Sequence, residues 1–151
     1  MIDNFIPQNQ YKDILEKVPI CCIDMIIEKE GKVLLMKRKN QPAKGKWWVP
    51  GGRVLKNESL KDAVRRKAKE ETGLIVDIKR CLGVYEFFDD KTPFASVKTG
   101  THTIMVVYLV KPETTKIQPD SQHESYKWVS SIPSGSHPYI KRILEDSKIF
   151  C

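Results

Sequence analysis

The segment from Gly52 to Leu74 constrains the fold more than any other, because it combines helix boundary signals with charged residues at fixed intervals. We expect a helix that opens at Glu58 and Ser59 and runs to about Thr72. Gly73 would end it, since glycine is common just past the last helical residue. This segment therefore predicts a central helix that carries charged side chains in a set order.

Hydrophobic periodicity predicts short strands on both sides of this helix and one further helix near each terminus. Strands that flank a central helix indicate an α/β fold. The length of 151 residues suits a single domain over residues 1–151. The outer helices are predicted over Tyr11 to Val18 and Pro138 to Glu145. The strands are predicted over Ile20 to Glu28, Lys32 to Arg38 (a hairpin with the first), Trp47 to Val49, Ile75 to Phe88 (one or two strands), His102 to Lys111 and Tyr126 to Val129.

Two adjacent carboxylates, those of Glu70 and Glu71, fall in the last turn of the predicted helix. The Gly51-Gly52 loop before the helix has no side chains, so its carbonyls can approach a ligand closely. Carboxylate and carbonyl oxygens together suit a hard cation such as Mg²⁺, which neutralises charge when a diphosphate bond breaks. The alternative is that both acids are surface residues, one of them paired with Arg66 or with Lys67, which lies one turn upstream on the same face.

Positive charge is concentrated in one part of the chain. The formal net charge is +7, and 12 of the 26 basic residues lie between Lys37 and Lys69, against the acids Glu58 and Asp62. Such a block fits a solvated face, a nucleic-acid surface or a pocket for a phosphate-bearing ligand. The only aromatic residues of the block, Trp47 and Trp48, lie together in a Gly/Pro-bounded segment, and the block shows no nucleic-acid-binding module. We therefore expect a phosphate-bearing small molecule and no nucleic acid.

The remaining composition indicates a cytoplasmic protein. The longest uncharged apolar run, Thr103 to Val110, is far below the ~20 residues that span a bilayer, so we expect no membrane partner. The first residues lack the basic and apolar stretches of a secretory signal. Four cysteines fit no paired metal spacing, and we expect them to be reduced thiols. They are Cys21, Cys22, Cys81 and Cys151.

The spacing from Gly52 to Leu74 resembles the signature of the Nudix hydrolases, G-x5-E-x7-R-E-U-x-E-E-x-G-U, in which U is a bulky aliphatic residue. The resemblance implies a Nudix-type α/β/α sandwich with a mixed central sheet. Two positions depart from it: the acid after the arginine is Lys67 here, and the aliphatic position is Ala68. In the family that acid usually helps to bind metal or activates the water that attacks phosphorus, and an ammonium group does neither.

The surrounding residues resemble the GDP-mannose mannosyl hydrolase branch of that family, over roughly Pro19 to Trp128. That branch has a degenerate signature helix, forms dimers and cuts the sugar–oxygen bond. The resemblance implies a Mg²⁺-dependent homodimer that converts GDP-mannose to GDP and mannose. It is carried by Lys37 to Val54, Phe88 to Asp90, Thr101-His102 and Pro119 to Trp128.

The same resemblance implies a set of metal ligands. Mg²⁺ would be held by the Gly51 carbonyl, Glu71, Gln122 and the diphosphate itself, with Glu70 as a further candidate. These residues are predicted to meet in one site, although Gln122 lies far from the signature helix in the sequence.

Catalytic and substrate-binding roles are implied in the same way. His123 would be the general base that deprotonates a water molecule for attack on the anomeric carbon, since an unperturbed histidine titrates near pH 6.5. Arg38 and Arg53 would neutralise the leaving diphosphate, because arginine forks match phosphate oxygens. Asp24 would lie near the sugar and the positive centre that forms on it, a catalytic role; inside an apolar strand it needs a polar partner if it is buried. The alternatives are a loop histidine for His123, a salt bridge for Arg38 and a solvated charge for Arg53.

Two further functions stay open. One is an ordinary Nudix pyrophosphohydrolase that attacks phosphorus with Glu70 and Glu71 as metal ligands, and the other is a silent nucleotide-binding domain. The branch usually carries a histidine just before its Phe-Asp-Asp segment and a tyrosine after Thr-His, whereas this chain has Val84 to Phe88 and Thr103 there. Another sugar or nucleotide is therefore also an alternative.

We expect His102 to be structural and His137 to be solvated.

Overall fold

The computed structural model describes residues 6–119 and 123–150, and for residues 123 and 124 it describes the backbone alone. Three helices and seven strands lie within these ranges, and none of the helices is long and apolar enough to cross a membrane. The helices are α1 (Gln8–Lys17), α2 (Leu60–Thr72) and α3 (Pro138–Ser147). The strands are β1 (Ile20–Lys29), β2 (Lys32–Arg38), β3 (Trp47–Trp48), β4 (Gly51–Arg53), β5 (Val76–Asp89), β6 (Thr101–Pro112) and β7 (His123–Val129).

Strand β1 organises the sheet. It runs parallel to β6, from Ile20 opposite Thr103 to Ile27 opposite Val110, and pairs antiparallel with the short strand β4 on its other edge. Strand β5 pairs antiparallel with β6. Strand β2 pairs with β1 beside their connecting turn and then antiparallel with β3 and β7. The sheet is therefore mixed, as the family resemblance implied.

Helices α2 and α3 cover opposite faces of this sheet. Alternate residues of β1 point to opposite faces, as strand geometry requires: Ile23 packs in a core with Ala63 and Val64 of α2, and Ile26 packs in a second core with Ile140 and Ile143 of α3. The predicted α/β/α sandwich is confirmed.

The central helix has the predicted boundaries. The Ser59 hydroxyl accepts a hydrogen bond of 3.1 Å from the Asp62 amide, which satisfies an N–H group that the first turn leaves unpaired. Gly73 ends the helix with a φ of 74°, a left-handed conformation that favours glycine. The C-terminal end of α2 also holds the segment between β6 and β7 in place, because the Gln118 amide donates a hydrogen bond of 2.7 Å to the Thr72 carbonyl.

The other elements differ from the predictions mainly at their ends. Helix α1 begins three residues before Tyr11, and β7 begins at His123 rather than at Tyr126. The segment predicted as one or two strands from Ile75 to Phe88 forms one long strand, β5 (Val76–Asp89), with two irregularities in register. Strand β4 was not predicted, because a Gly-Gly pair has little strand propensity and is held here by long-range pairing with β1.

Candidate active site

A cavity of about 450 Å³ opens beside β1, β4 and α2. Its wall combines charged groups with the apolar side chains of α1, β1, β5 and β6. Five residues predicted to form the site line this cavity together, although they come from four different elements of the chain. They are Asp24, Arg38, Gly51, Arg53 and Glu71.

Asp24 is the most deeply buried charged side chain of the cavity, with 2% of the residue exposed. Its Oδ2 atom accepts a hydrogen bond of 2.7 Å from the Tyr139 hydroxyl, and the Trp48 side chain donates another. Burial raises the pKa of Asp24 to about 8; the negative charge of Glu71 acts in the same direction, and the hydrogen bond from Tyr139 and the charge of Arg38 only partly oppose it. The carboxyl group is thus largely protonated at neutral pH.

Gly51 lies between two carboxylates. It pairs with Asp24 across β4 and β1, and its amide donates a hydrogen bond of 2.8 Å to Oε2 of Glu71, which is also buried. A Cβ atom at this position would collide with Oδ1 of Asp24 and with the backbone oxygen of Ile23. Only glycine fits this position, and its absent side chain allows Asp24 and Glu71 to converge.

Lys67 also lines the cavity, at the position where the family signature has an acid. Its Nζ atom lies 3.4 Å from Oε2 of Glu70 and 3.6 Å from Oε1 of Glu71, and 18% of its side chain is exposed. The side chain runs along Gly52, where a Cβ atom would lie 2.6 Å from the Lys67 Cε atom. The prediction that Lys67 shares one helix face with Glu70 and Glu71 is confirmed.

Arg66 connects the segment just before α2 to the end of β4. Its Nε atom donates a hydrogen bond of 2.7 Å to Oε2 of Glu58, and its Nη2 atom donates one of 3.0 Å to the Arg53 carbonyl. These contacts give Glu58 and Arg66 a structural role. Glu70 accepts from Arg66 at 3.1 Å, is half exposed and lies outside the cavity lining, so its predicted metal contact would require a different side-chain position.

The two arginines approach the cavity from different sides. The Arg38 Nε atom donates a hydrogen bond of 2.8 Å to the Pro42 carbonyl, and its positive charge acts on Asp24 by lowering the pKa. The Arg53 guanidinium lies 5.6 Å from the ring centre of Tyr11, a cation–π contact that positions it against α1. Neither arginine is therefore a simple solvated charge.

The predicted base and one predicted metal ligand come from the chain that follows β6. Gln122 lies outside the described residues. The backbone of His123 does lie within them and pairs opposite Arg38 in the β2–β7 ladder. His123 is therefore the first residue of β7, and its backbone lies beside Arg38, which lines the cavity.

His137 is half-buried and caps α3, whereas the sequence-based expectation was a solvated residue. Its Nδ1 atom accepts a hydrogen bond of 3.0 Å from the Tyr139 amide at the start of α3, and its ring packs 5.1 Å from that of Trp48. The Ser/Gly/Pro composition of this segment gave no sign of a helix cap. The ring of His102 stacks on Phe88 at 4.3 Å, which agrees with a structural role.

The hydrogen-bond partners of Asp24 were not predicted from the sequence. Tyr139 is 115 residues away from it, a separation that no local pattern bridges. Trp48 and Tyr11 also line the cavity and were not predicted as site residues. The position of Trp48 two residues before Pro50-Gly51-Gly52 is a usable signal, because Gly51 and Gly52 pair with β1 as part of β4.

The part of the cavity with oxygen ligands for Mg²⁺ lies at Glu71 and the backbone of Gly51 and Gly52. Among residues 6–119 and 125–150 no cluster of three or more His, Cys, Asp or Glu side chains could hold a metal ion. Mg²⁺ is usually bound by one or two carboxylates, with water and substrate phosphates completing its shell. Glu71 provides one such carboxylate and lies beside the Gly51-Gly52 backbone. The site therefore suits a Mg²⁺ ion that binds together with a diphosphate.

Comparison with known proteins identifies a NUDIX domain over residues 17–131. A protein of Haloferax volcanii named low-salt glycan biosynthesis protein Agl8 is 38% identical over 140 residues, which cover 93% of this chain and 89% of the relative. An ADP-ribose pyrophosphatase of Methanocaldococcus jannaschii is 45% identical over 92 residues, which cover 61% of this chain and 50% of the relative. The crystal structure of a MutT Nudix hydrolase from Burkholderia pseudomallei matches with a TM-score of 0.71 and 27% identity, covering 86% of this chain and 98% of that one.

Proposed function

The chain belongs to the Nudix hydrolase family, and from that membership we propose that it hydrolyses a nucleoside diphosphate sugar with the help of Mg²⁺. The observation that carries the proposal is the cavity that brings Arg38, Arg53 and Lys67 together with the buried carboxyl groups of Asp24 and Glu71. Such a cavity offers positive charge to a diphosphate and polar groups to a sugar.

The cationic side chains would bind the diphosphate. Guanidinium groups form paired hydrogen bonds with phosphate oxygens, and Arg38 and Arg53 are both fixed by contacts of their own. Bound Mg²⁺ would neutralise charge on the leaving nucleoside diphosphate, and Glu71, the Gly51 carbonyl and Gln122 would hold it.

We propose that water attacks the anomeric carbon, with GDP-mannose as the first substrate and with GDP and mannose as products. Lys67 supports this choice, because a lysine replaces the acid that would activate water for attack on phosphorus. His123 would take the proton from the water, and its position opposite Arg38 is consistent with that role. The protonated Asp24 carboxyl would donate a hydrogen bond to the sugar without repelling the diphosphate.

Attack on phosphorus is the second candidate. It is favoured by the relative named ADP-ribose pyrophosphatase and by the presence of both Glu70 and Glu71. The products would then be a nucleoside monophosphate and a sugar phosphate. A silent nucleotide-binding domain would give no products at all.

The experiment that separates these functions is incubation with GDP-mannose and Mg²⁺ in ¹⁸O-labelled water, followed by mass spectrometry of the products. We expect unlabelled GDP and labelled mannose. GMP with mannose 1-phosphate would contradict attack at carbon, and an absence of products with GDP-mannose, UDP-glucose and ADP-ribose would contradict the function as a whole.

His123→Ala tests the proposed base. We expect it to lower turnover at least a hundredfold while GDP binding is retained, in line with the usual contribution of a general base. His102→Ala is the matched control, because His102 stacks on Phe88 outside the cavity lining. Equal turnover in the two variants would remove His123 from the mechanism.

We also propose a cytoplasmic homodimer that binds no nucleic acid. The oligomeric state is measured by size-exclusion chromatography with light scattering, where a dimer has twice the 17.4 kDa of one chain. A monomer at that step, or binding to an oligonucleotide at physiological salt, would contradict these proposals.

A further inference from the structure

We propose that the Lys67 ammonium group is a fixed cation of the active site that contacts the substrate diphosphate directly, so that a diphosphate binds even without a divalent metal ion. The proposal deepens the proposed function and rests on it in one respect, namely that the substrate carries a diphosphate. It concerns binding, and it holds whichever bond is broken.

Lys67 lies on the face of α2 that borders the cavity. Residues three and four apart share a helix face, so α2 carries the ammonium group beside Glu70 and Glu71 and towards the cavity. Only 18% of the side chain is exposed. A cation at a partly buried wall needs nearby negative charge, and these carboxylates supply it in the absence of substrate.

The ion pairs of Lys67 with Glu70 and Glu71 are long. The Lys67 Nζ atom lies 3.4 Å and 3.6 Å from the two carboxylates, whereas charge-assisted hydrogen bonds are usually about 2.7–2.9 Å long. Closer donors already contact both acids, since the Gly51 amide lies 2.8 Å from Glu71 and Arg66 lies 3.1 Å from Glu70. The carboxylates keep the ammonium group in place without a tight bond to it.

Gly52 leaves space for the Lys67 side chain because it has no side chain of its own. A Cβ atom at Gly52 would lie 2.6 Å from the Lys67 Cε atom and 3.1 Å from its Nζ atom. Because Gly52 has no side chain, the Lys67 ammonium group lies against the backbone of β4. The same backbone would contact a metal-bound diphosphate. Lysine is a compact point charge with three donors, which suits phosphate oxygens in this space.

The test is isothermal titration calorimetry with inorganic pyrophosphate in buffer containing EDTA. We expect wild-type protein to bind pyrophosphate, Lys67→Met to bind it at least about tenfold more weakly and Lys67→Arg to bind it within about threefold of wild type, since one hydrogen bond to a charged group is worth about a factor of ten or more. Lys69→Met is the matched control, because Lys69 lies on α2 but lines a separate cavity with Arg65. We expect its affinity to be unchanged.

The proposal is overturned if wild-type protein does not bind pyrophosphate in EDTA, or if Lys67→Met binds it as well as wild type. Circular dichroism checks that each variant is folded, and Lys67→Gln replaces the methionine variant if that one unfolds. The outcome is independent of turnover. A protein that binds pyrophosphate through Lys67 but hydrolyses no nucleotide sugar keeps this assignment and refutes the proposed function.

Discussion

The hydroxyl group of Tyr139 donates a hydrogen bond of 2.7 Å to the buried carboxyl group of Asp24. This contact joins α3 to β1 across the core, and it places the last helix of the chain in direct support of the cavity. A polar contact between two buried groups contributes to stability mainly because leaving either partner unsatisfied is costly.

Tyr139→Phe removes this donor and leaves one Asp24 oxygen without it. We expect the free energy of unfolding to fall by about 1–3 kcal/mol, the usual cost of a buried acceptor that loses its partner. Urea denaturation monitored by tryptophan fluorescence measures the change. Tyr108→Phe, the same substitution at a buried tyrosine on the α2 side of the sheet, is the control, and an equal loss in both variants would contradict the prediction.

The raised pKa of Asp24 predicts how stability depends on pH. The ordinary pKa is 3.8 and the folded protein raises it to about 8, so between these values the folded state binds more protons than the unfolded state. The free energy of unfolding therefore falls as pH rises through this window, by at most about 1.4 kcal/mol per pH unit from this one group.

Asp24→Asn removes this titration and retains an acceptor for Tyr139. We expect the variant to gain stability relative to wild type as pH rises from 5 to about 8, as measured by urea denaturation in EDTA. Asp77→Asn is the control, because that aspartate is half exposed. Parallel pH profiles for wild type and Asp24→Asn would show that Asp24 is not the group responsible.

The two glycines of the Gly51-Gly52 loop should respond differently to alanine. Gly51→Ala drives a methyl group into the Ile23 backbone and the Asp24 carboxyl, and we expect it to destabilise the protein by about 3 kcal/mol or more. Gly52→Ala meets only the flexible end of Lys67, so we expect a cost below about 1 kcal/mol. Thermal denaturation of both variants checks this contrast, and a reversed order would contradict the described loop geometry.

Tyr11 should act on substrate binding through Arg53. We expect Tyr11→Ala to raise KM for the nucleotide sugar about two- to fivefold with little change in kcat, because an exposed cation–π contact is worth about 0.5–1 kcal/mol. Tyr11→Phe keeps the ring and should behave like wild type. Steady-state kinetics of the three proteins measures the effect, and equal KM values for alanine and phenylalanine would exclude the ring contact as its cause.

The local features of this fold could be predicted from the sequence. Helix α2 was predicted with its capping residues because Ser59 and Gly73 act within one turn of the helix ends. The placement of Lys67 beside Glu70 and Glu71 followed from helical spacing alone.

The long-range features could not be predicted in this way. Strand β4 exists because β1 lies beside it, and its own residues have little strand propensity. The partners of Asp24 come from β3 and α3, and the cap formed by His137 depends on a helix that packs from the far end of the chain. Residues that complete a site through tertiary contacts are not indicated by the local periodicity of the sequence.

The hydrogen bond from the Gln118 amide to the Thr72 carbonyl has a consequence for engineering. It fixes the chain one residue from Glu71, and the pairing of His123 with Arg38 fixes it again at the start of β7. A library aimed at sugar specificity can vary residues 119–121, which lie between these two anchors in the sequence, and keep Gln122, the proposed Mg²⁺ ligand. Selection from such a library is a direct route to variants that accept other sugars.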